Sequence, residues 1–165
     1  MSILGAIENP RHKLMISILY SSGLRLNELV QLKVGNIDLK SLMIFVKGGK
    51  GHKDRRTIFS ENLIPPLIAQ MGKKRAEEWL FYGVDGISHY SPRSVQKVLA
   101  IAVQKIGIQK HVHCHTLRHS FATHLMENGI DIRYIQELLG HERLETTAIY
   151  AHVRNPARQM IRSPL

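Results

Sequence analysis

The amino-acid sequence predicts a mainly α-helical domain with one small β-hairpin, which places the chain in the α+β class. Apolar residues recur at helical spacing in several segments that begin at proline or end at glycine. Two short β-branched or apolar stretches flank a glycine-rich loop, as in a hairpin. With 165 residues, 44% of them hydrophobic, the chain is long enough to bury a core. It contains no internal repeat and no low-complexity linker, so we predict one domain over residues 1–165.

A first helix is predicted from after Pro10 to about Ser22. Its apolar residues Leu14, Ile18 and Leu19 fall at helical spacing, and Gly23 is placed to end it. Arg25 then opens a second short helix. The sequence therefore predicts a pair of consecutive helices near the start of the domain.

The two predicted strands are Leu42–Lys47 and Arg55–Phe59. The loop between them is rich in glycine, with Gly48, Gly49 and Gly51. Lys50 lies between two of these glycines. We therefore expect the hairpin to present Lys50 at a mobile tip.

Four further helices are predicted after the hairpin. Ser60 can cap the first, which contains Leu63, Leu67 and Ile68. The next has Ser91 as its cap and Pro92 at its first position, and Gly107 stops it. The last two are predicted from near Thr116 and over Ile132–Leu139, which stops at Gly140.

The charge of the chain favours a polyanionic partner. Lysine and arginine number 23 against 13 acidic residues, which gives a net charge of +10. Double-stranded DNA is the simplest such partner. No apolar run is long enough to cross a membrane and no secretory signal is visible, so we expect no membrane partner. The single cysteine, Cys114, excludes an internal disulfide framework and fits the reducing cytoplasm.

Tyr150 follows a series of basic residues near the end of the chain. Its phenol has an ordinary pKa of about 10, so forming the phenolate at neutral pH costs roughly 4 kcal/mol. A nucleophilic tyrosine therefore needs cations nearby. A phosphodiester needs cations too, because its oxygens gain charge as phosphorus becomes five-coordinate. Arginine suits both needs, because its guanidinium is always charged and can bind two oxygens at once.

Basic residues of this kind occur in two separate segments. His115 and Arg118 lie three positions apart in HTLRHSFATHL, which puts their side chains on one face of a helix. Arg25 occurs far upstream, in SSGLRLNEL. These residues are the candidate phosphate-binding groups.

Together these segments resemble the catalytic domain of the tyrosine recombinase, or phage integrase, family, of the Xer-like kind. The segment around Arg25 resembles the family's first conserved box. The HTLRHSFATHL run, the Leu-Gly-His that ends at His141 and then Tyr150 resemble its second box. The segment KGGKGHKDRR resembles the β-hairpin that carries the catalytic lysine of the family, and Lys50 takes that position. The resemblance covers most of the chain, from about Ile16 to Val153.

The resemblance implies a site-specific DNA recombinase or integrase that cleaves and rejoins strands with neither a metal nor a nucleotide cofactor. Arg25 and Arg118 hold the non-bridging oxygens of the scissile phosphate in that mechanism. His115 assists proton transfer and helps to hold the phosphate. These three residues form the implied phosphate-binding set.

The remaining implied roles concern the leaving group, the pocket and the nucleophile. Lys50 protonates the departing 5′ oxygen, and His141 hydrogen-bonds the phosphate. Tyr150 attacks, which leaves a 3′-phosphotyrosyl link and a free 5′ hydroxyl. Glu28 falls one helical turn beyond Arg25, where we expect it to brace that turn or an active-site cation from behind; a surface ion pair is the alternative.

The resemblance also implies the assembly. Family members act as tetramers on two DNA sites, and a monomer is left open for the domain alone. They usually carry a separate N-terminal domain that closes around DNA, and nothing before Ile16 could form one, so we expect only the catalytic domain here. The segment Ala151–Leu165 corresponds to a region that often docks on a neighbouring protomer in the family.

Two other interpretations remain open from the sequence. A zinc site could form from the cluster His111, His113, Cys114, His115 and His119, although no His-Glu-x-x-His signature is present. A DNA-binding protein of the same fold that catalyses no reaction is the second.

Tyr150 also competes with Tyr20, Tyr82, Tyr90 and Tyr134, which could be ordinary packing residues. Its position nine residues after His141 selects it.

Overall fold

The computed structural model describes residues 2–48 and 54–140. Six α-helices and a three-stranded antiparallel sheet make up this part of the chain, which confirms the mainly helical α+β prediction. In chain order the elements are α1 (Pro10–Ser22), α2 (Leu26–Val30), β1 (Ile37–Asp38), β2 (Met43–Val46), β3 (Arg55–Ile58), α3 (Ile64–Met71), α4 (Pro92–Lys105), α5 (Cys114–Glu127) and α6 (Ile132–Leu139). No helix in the described part is long and apolar enough to cross a membrane.

Helix α1 is the centre of the domain. It contacts helices α2 to α5 and strand β3, and its residues Leu14–Leu19 are all buried. A helix that is enclosed on several sides buries more than one stripe of residues. The side chain of Asn9 accepts hydrogen bonds from the backbone N–H groups of Arg11 and His12 at its start. Gly23 ends it with φ of 62°, as predicted.

The sheet has the order β1-β2-β3 and includes the predicted hairpin. Ile44 pairs with Thr57, and both side chains are buried, so this face of the hairpin packs on the core. The Thr57 hydroxyl donates a hydrogen bond of 2.7 Å to the carbonyl of Ser22 at the end of α1. Strand β1 was not predicted, because it consists of two residues that are held by pairing with β2.

One predicted helix start was inaccurate. Ser60 was expected to cap a helix, but it precedes a 3-10 turn, its side chain makes no capping hydrogen bond, and α3 begins at Ile64. Pro65 and Pro66 explain the later start, because proline lacks an N–H and fits only the first helical turn. Helix α5 begins at Cys114, near Thr116 as predicted, and the Thr116 hydroxyl accepts a hydrogen bond from the His113 backbone N–H.

Helix α6 packs against strand β3. The helix contacts β3 and α5, and its residues Ile135 and Leu139 are buried. The helix ends at Gly140, which has φ of 65°, as predicted. The chain therefore leaves α6 beside the strand that follows the hairpin loop.

Candidate active site

Arg25 caps the start of α2, and Glu28 holds it there. The carboxylate of Glu28 accepts a hydrogen bond of 2.7 Å from the backbone N–H of Arg25 and one of 3.0 Å from its guanidinium. The neighbours Leu24 and Leu29 are completely buried and anchor this turn in the core. The side chain of Arg25 remains 29% exposed. It can therefore meet a ligand while its backbone is fixed.

Arg55, the first residue of β3, binds the same carboxylate. Its two terminal nitrogens donate to the two oxygens of Glu28 at 2.7 Å each, and its Nε donates to the carbonyl of Leu138 at 3.0 Å. Burial would raise the pKa of Glu28, but the hydrogen bonds and charge of Arg55, aided by Arg25, outweigh burial and lower that pKa to about 2. Glu28 is therefore a carboxylate shared by two arginines.

Arg118 is the largest completely buried side chain in the described residues, with 1% exposure. Its guanidinium donates hydrogen bonds to the carbonyl of Gly23 and, at 2.6 Å, to the carbonyl of Leu139. These carbonyls lie at the C-terminal ends of α1 and α6, where the helix dipoles place partial negative charge. The fold thus fixes a permanent cation at the junction of three helices.

His115 lies one helical turn before Arg118 and faces the same region. Burial is the main cause that lowers its pKa, followed by the positive charges of His119, Arg118 and Arg25. Arg25 and His115 line the same cleft, and Arg118 bonds to the carbonyl of Gly23, two residues before Arg25, so the three residues lie close together. Burial and the charge of Arg118 also lower the pKa of His119. The rings of His115 and His119 meet edge-on, with their centres 4.4 Å apart. His115 is thus favoured in its neutral form.

Arg25 and His115 open into one cleft of about 980 Å³. The cleft is also lined by Lys33, Lys47 and Trp79, and the Lys33 ammonium lies 4.9 Å from the centre of the Trp79 ring. Cationic and aromatic groups of this kind suit a nucleic-acid backbone and its bases. The arrangement can hold an anionic phosphate between a charged guanidinium group and a neutral imidazole.

The structure brings together four of the seven predicted site residues: Arg25, Glu28, His115 and Arg118. Lys50, His141 and Tyr150 lie outside the described residues. Arg55 was not predicted as a site residue, because nothing in the local sequence shows which arginine reaches Glu28 from 27 positions away. A weak signal was present, since a carboxylate among the apolar residues of α2 requires a buried donor.

Of the four other tyrosines, all in the described residues, three make hydrogen bonds with their hydroxyls and the fourth is exposed. The Tyr20 hydroxyl is 2.8 Å from Nδ1 of His124, that of Tyr90 is 2.9 Å from Nε2 of His12, and that of Tyr82 donates to Glu78 at 3.0 Å. Tyr134 is 66% exposed on α6. Within residues 2–48 and 54–140, no tyrosine lines the cleft.

The zinc interpretation finds no ligand set in the described part of the chain. No group of three or more histidine, cysteine or acidic side chains is placed there to hold a metal ion. The rings of His111 and His113 stack on each other, and Cys114 is buried at the start of α5. The histidines are spread along the loop before α5 and one face of that helix.

Comparisons with known proteins show the family and the fold of the chain. Residues 1–156 match the model of the Phage integrase family. A tyrosine recombinase of Thermosipho africanus is 41% identical over 155 residues, 92% of this chain and 54% of that protein. The crystal structure of XerA recombinase matches with a TM-score of 0.81 at 34% identity and covers 96% of this chain and 60% of that one, which confirms the predicted fold.

A DNA complex is also among the similar structures. The XerH site-specific recombinase bound to difH substrate, in a pre-cleavage complex, matches with a TM-score of 0.79 at 28% identity. The match covers 96% of this chain and 50% of that one. The chain spans about half the length of the curated relatives it matches.

Proposed function

Because the chain belongs to the phage integrase family, we propose that it forms the catalytic part of a site-specific DNA recombinase that cleaves and rejoins DNA through a 3′-phosphotyrosyl intermediate. The observation that carries this proposal is one cationic cleft lined by Arg25 and His115, with the buried Arg118 one helical turn from His115 and bonded to the carbonyl of Gly23, two residues before Arg25. These groups come from helices far apart in sequence. Their meeting point suits one anionic centre.

The arginines stabilise the negative charge that develops on the non-bridging phosphate oxygens in this proposal. Arg25 and Arg118 bind the two non-bridging oxygens of the scissile phosphate. Preorganised cations help most where charge grows in the transition state, because they need no reorganisation during the reaction. The burial of Arg118 and the bracing of Arg25 by Glu28 both support such preorganisation.

His115 assists proton transfer beside the phosphate. A histidine must be neutral to accept a proton, and the lowered pKa of His115 keeps it neutral near pH 7. As the Tyr150 oxygen attacks phosphorus, its proton leaves toward His115 or the solvent. The gain of an anionic phosphorane next to His115 would raise its pKa during the step.

The remaining groups complete the exchange. Tyr150 forms a bond to phosphorus while the bond to the 5′ oxygen breaks, and Lys50 delivers a proton to that oxygen. His141 hydrogen-bonds the phosphate. A 5′ hydroxyl then attacks the phosphotyrosine, which restores the phosphodiester and releases Tyr150. One phosphoester bond is exchanged for another in each step, so neither a metal nor a nucleotide cofactor is required.

The partner in this proposal is double-stranded DNA, and the active form is a tetramer on two DNA sites. The net charge of +10 supports the DNA partner, as does the DNA-bound form of XerH. Residues 1–165 act as one catalytic domain. The lone buried Cys114 and the DNA substrate favour the cytoplasm as the place of action.

A trapping experiment tests the proposal. The wild-type chain and Tyr150→Phe are incubated with nicked suicide duplexes of varied sequence, and denaturant-resistant protein–DNA adducts are mapped by peptide. We expect an adduct on the Tyr150 peptide that is absent from the variant and insensitive to a chelator. Tyr134→Phe is the matched control, because Tyr134 is exposed on α6, and it should still form the adduct. An adduct with Tyr150→Phe, or salt-sensitive DNA binding without any adduct, would contradict the proposal.

A further inference from the structure

Arg55 connects three parts of the molecule that are distant in sequence. It is the first residue of β3, it binds both oxygens of Glu28 on α2, and its Nε donates to the carbonyl of Leu138 on α6. Its side chain is only 7% exposed. An ideal Cβ on Gly140 would lie 2.6 Å from Cδ of Arg55, so the guanidinium stem passes directly over the end of α6.

The net stability of the Arg55–Glu28 pair does not by itself account for this arrangement. Taking two charges out of water costs about as much as their attraction returns. What the bidentate contact does supply is direction, because the planar guanidinium fixes both carboxylate oxygens in one orientation. The same two oxygens hold the backbone N–H and the guanidinium of Arg25.

We infer that Arg55 is a positioning residue of the cleavage reaction: through Glu28 it sets the placement of the Arg25 guanidinium at the scissile phosphate. This inference rests on the proposed function. Arg55 has no contact with the phosphate in it. Arg25 acts on the substrate, and Glu28 transmits the placement from the strand to α2.

Removal of Arg55 leaves Glu28 with Arg25 as its remaining side-chain partner. The carboxylate is then free to turn and draws the Arg25 guanidinium into a closer ion pair, away from the cleft. A displacement of about 1 Å at a reacting centre can cost about a hundredfold in rate. We therefore expect Arg55→Gln to lower the cleavage rate about a hundredfold without a matching loss of DNA binding.

The experiment measures single-turnover cleavage of the suicide duplex at saturating protein, together with the DNA dissociation constant and the melting temperature. The matched control is Arg56→Gln. Arg56 is the next residue of the same strand and carries the same charge, but it is exposed and lies over the ring of Phe45 at 4.8 Å. We expect Arg56→Gln to cleave within about threefold of the wild type.

A double-substitution cycle separates positioning from a merely structural role. Arg55→Gln is combined with Arg25→Ala, and the suicide substrate accumulates product so that slow rates remain measurable. If Arg55 acts through Arg25, its loss should change the rate less than about threefold once Arg25 is absent. A general structural defect would multiply with Arg25→Ala, and that result would overturn the inference.

A second variant covers the case in which Arg55→Gln does not fold. Glu28→Gln with Arg55→Gln removes both partners, so no uncompensated charge is buried. We expect this double variant to regain the melting temperature and still cleave slowly. If the wild type forms its adduct and either Arg55→Gln or the double variant cleaves at the full rate, the inference about Arg55 is overturned and the proposed function is not. Absence of an adduct from the wild type itself would instead overturn the proposed function.

Discussion

The backbone of Gly23 lies directly against the ring of Phe121. An ideal Cβ on Gly23 would be 2.5 Å from Cδ1 of Phe121, closer than real side chains approach. Gly23 also has φ of 62°, and its carbonyl accepts a hydrogen bond from Arg118. The glycine therefore lets α1 and α5 meet at the point where the buried arginine is held.

Gly23→Ala should destabilise the domain strongly. The left-handed backbone costs a residue with a Cβ about 1–2 kcal/mol, and overpacking against Phe121 adds about 1–3 kcal/mol. Gly107→Ala is the matched control, because Gly107 has φ of 71° but an added Cβ would meet nothing within 4 Å. Urea unfolding of both variants should show the larger loss for Gly23→Ala. Equal losses would mean that the contact with Phe121 is unimportant.

Arg118→Gln should cost both stability and cleavage, in contrast to Arg25→Ala. The carbonyls of Gly23 and Leu139 would lose their charged donor in a buried place, at about 1–3 kcal/mol each. Arg25 is partly exposed, so its pair with Glu28 contributes about 1 kcal/mol or less. Chemical unfolding should therefore distinguish the two variants, although each should lose about a hundredfold or more in adduct formation. Similar unfolding midpoints would contradict the structural role of Arg118.

Glu28 should make stability depend on pH in the acidic range. Its folded pKa of about 2 lies below the ordinary value of 4.5, so its stabilisation is complete above about pH 4.5 and is lost as the pH falls toward 2. The shift contributes on the order of 3 kcal/mol to the free energy of unfolding at neutral pH. The free energy of unfolding, measured by denaturant unfolding at several pH values between 3 and 7, should change less with pH for Glu28→Gln than for the wild type.

The control for that measurement is Glu8→Gln. The carboxylate of Glu8 pairs with Lys105 at the surface, where water and salt screen the interaction. This variant should therefore keep the pH dependence of the wild type. If Glu8→Gln flattens the pH dependence of stability as much as Glu28→Gln does, the burial of the shared carboxylate has little energetic effect.

DNA binding should weaken steeply with salt. Each phosphate contact contributes about −0.9 to the slope of log affinity against log salt, so four contacts give about a hundredfold loss between 50 and 200 mM salt. Lys33→Gln removes a cation that lines the cleft and should reduce that slope by about 1. Fluorescence anisotropy across a salt series measures both. A wild-type slope near zero would argue against DNA as the partner.

Local signals explain how much of the fold could be predicted. Gly23 and Gly140 end their helices with positive φ, and that preference belongs to glycine itself. The start of α3 was missed because the serine signal at Ser60 competes with two prolines that define a later first turn. Strand β1 depends on pairing with β2, so its two residues carry no signal of their own.

The site likewise contains residues with local sequence signals and a residue whose contacts are distant in sequence. Arg25 and His115 were predicted from short motifs in which the partner residues lie one helical turn apart, and both line the cleft. Arg55 was missed, because its importance comes from a contact with Glu28 across 27 positions and another with Leu138 across 83. Such contacts exist only after the chain has folded, and spacing along the sequence does not reveal them.

The hydrogen bonds of Arg118 have a consequence for synthesis of the chain. Its two carbonyl partners, Gly23 and Leu139, are separated by more than a hundred positions, and both must be in place before the guanidinium is held. During translation, α1 leaves the ribosome long before α6, and domains of this kind fold as units. The Arg118 guanidinium therefore reaches its final place only after α6 has been synthesised, so the junction of α1, α5 and α6 is completed late.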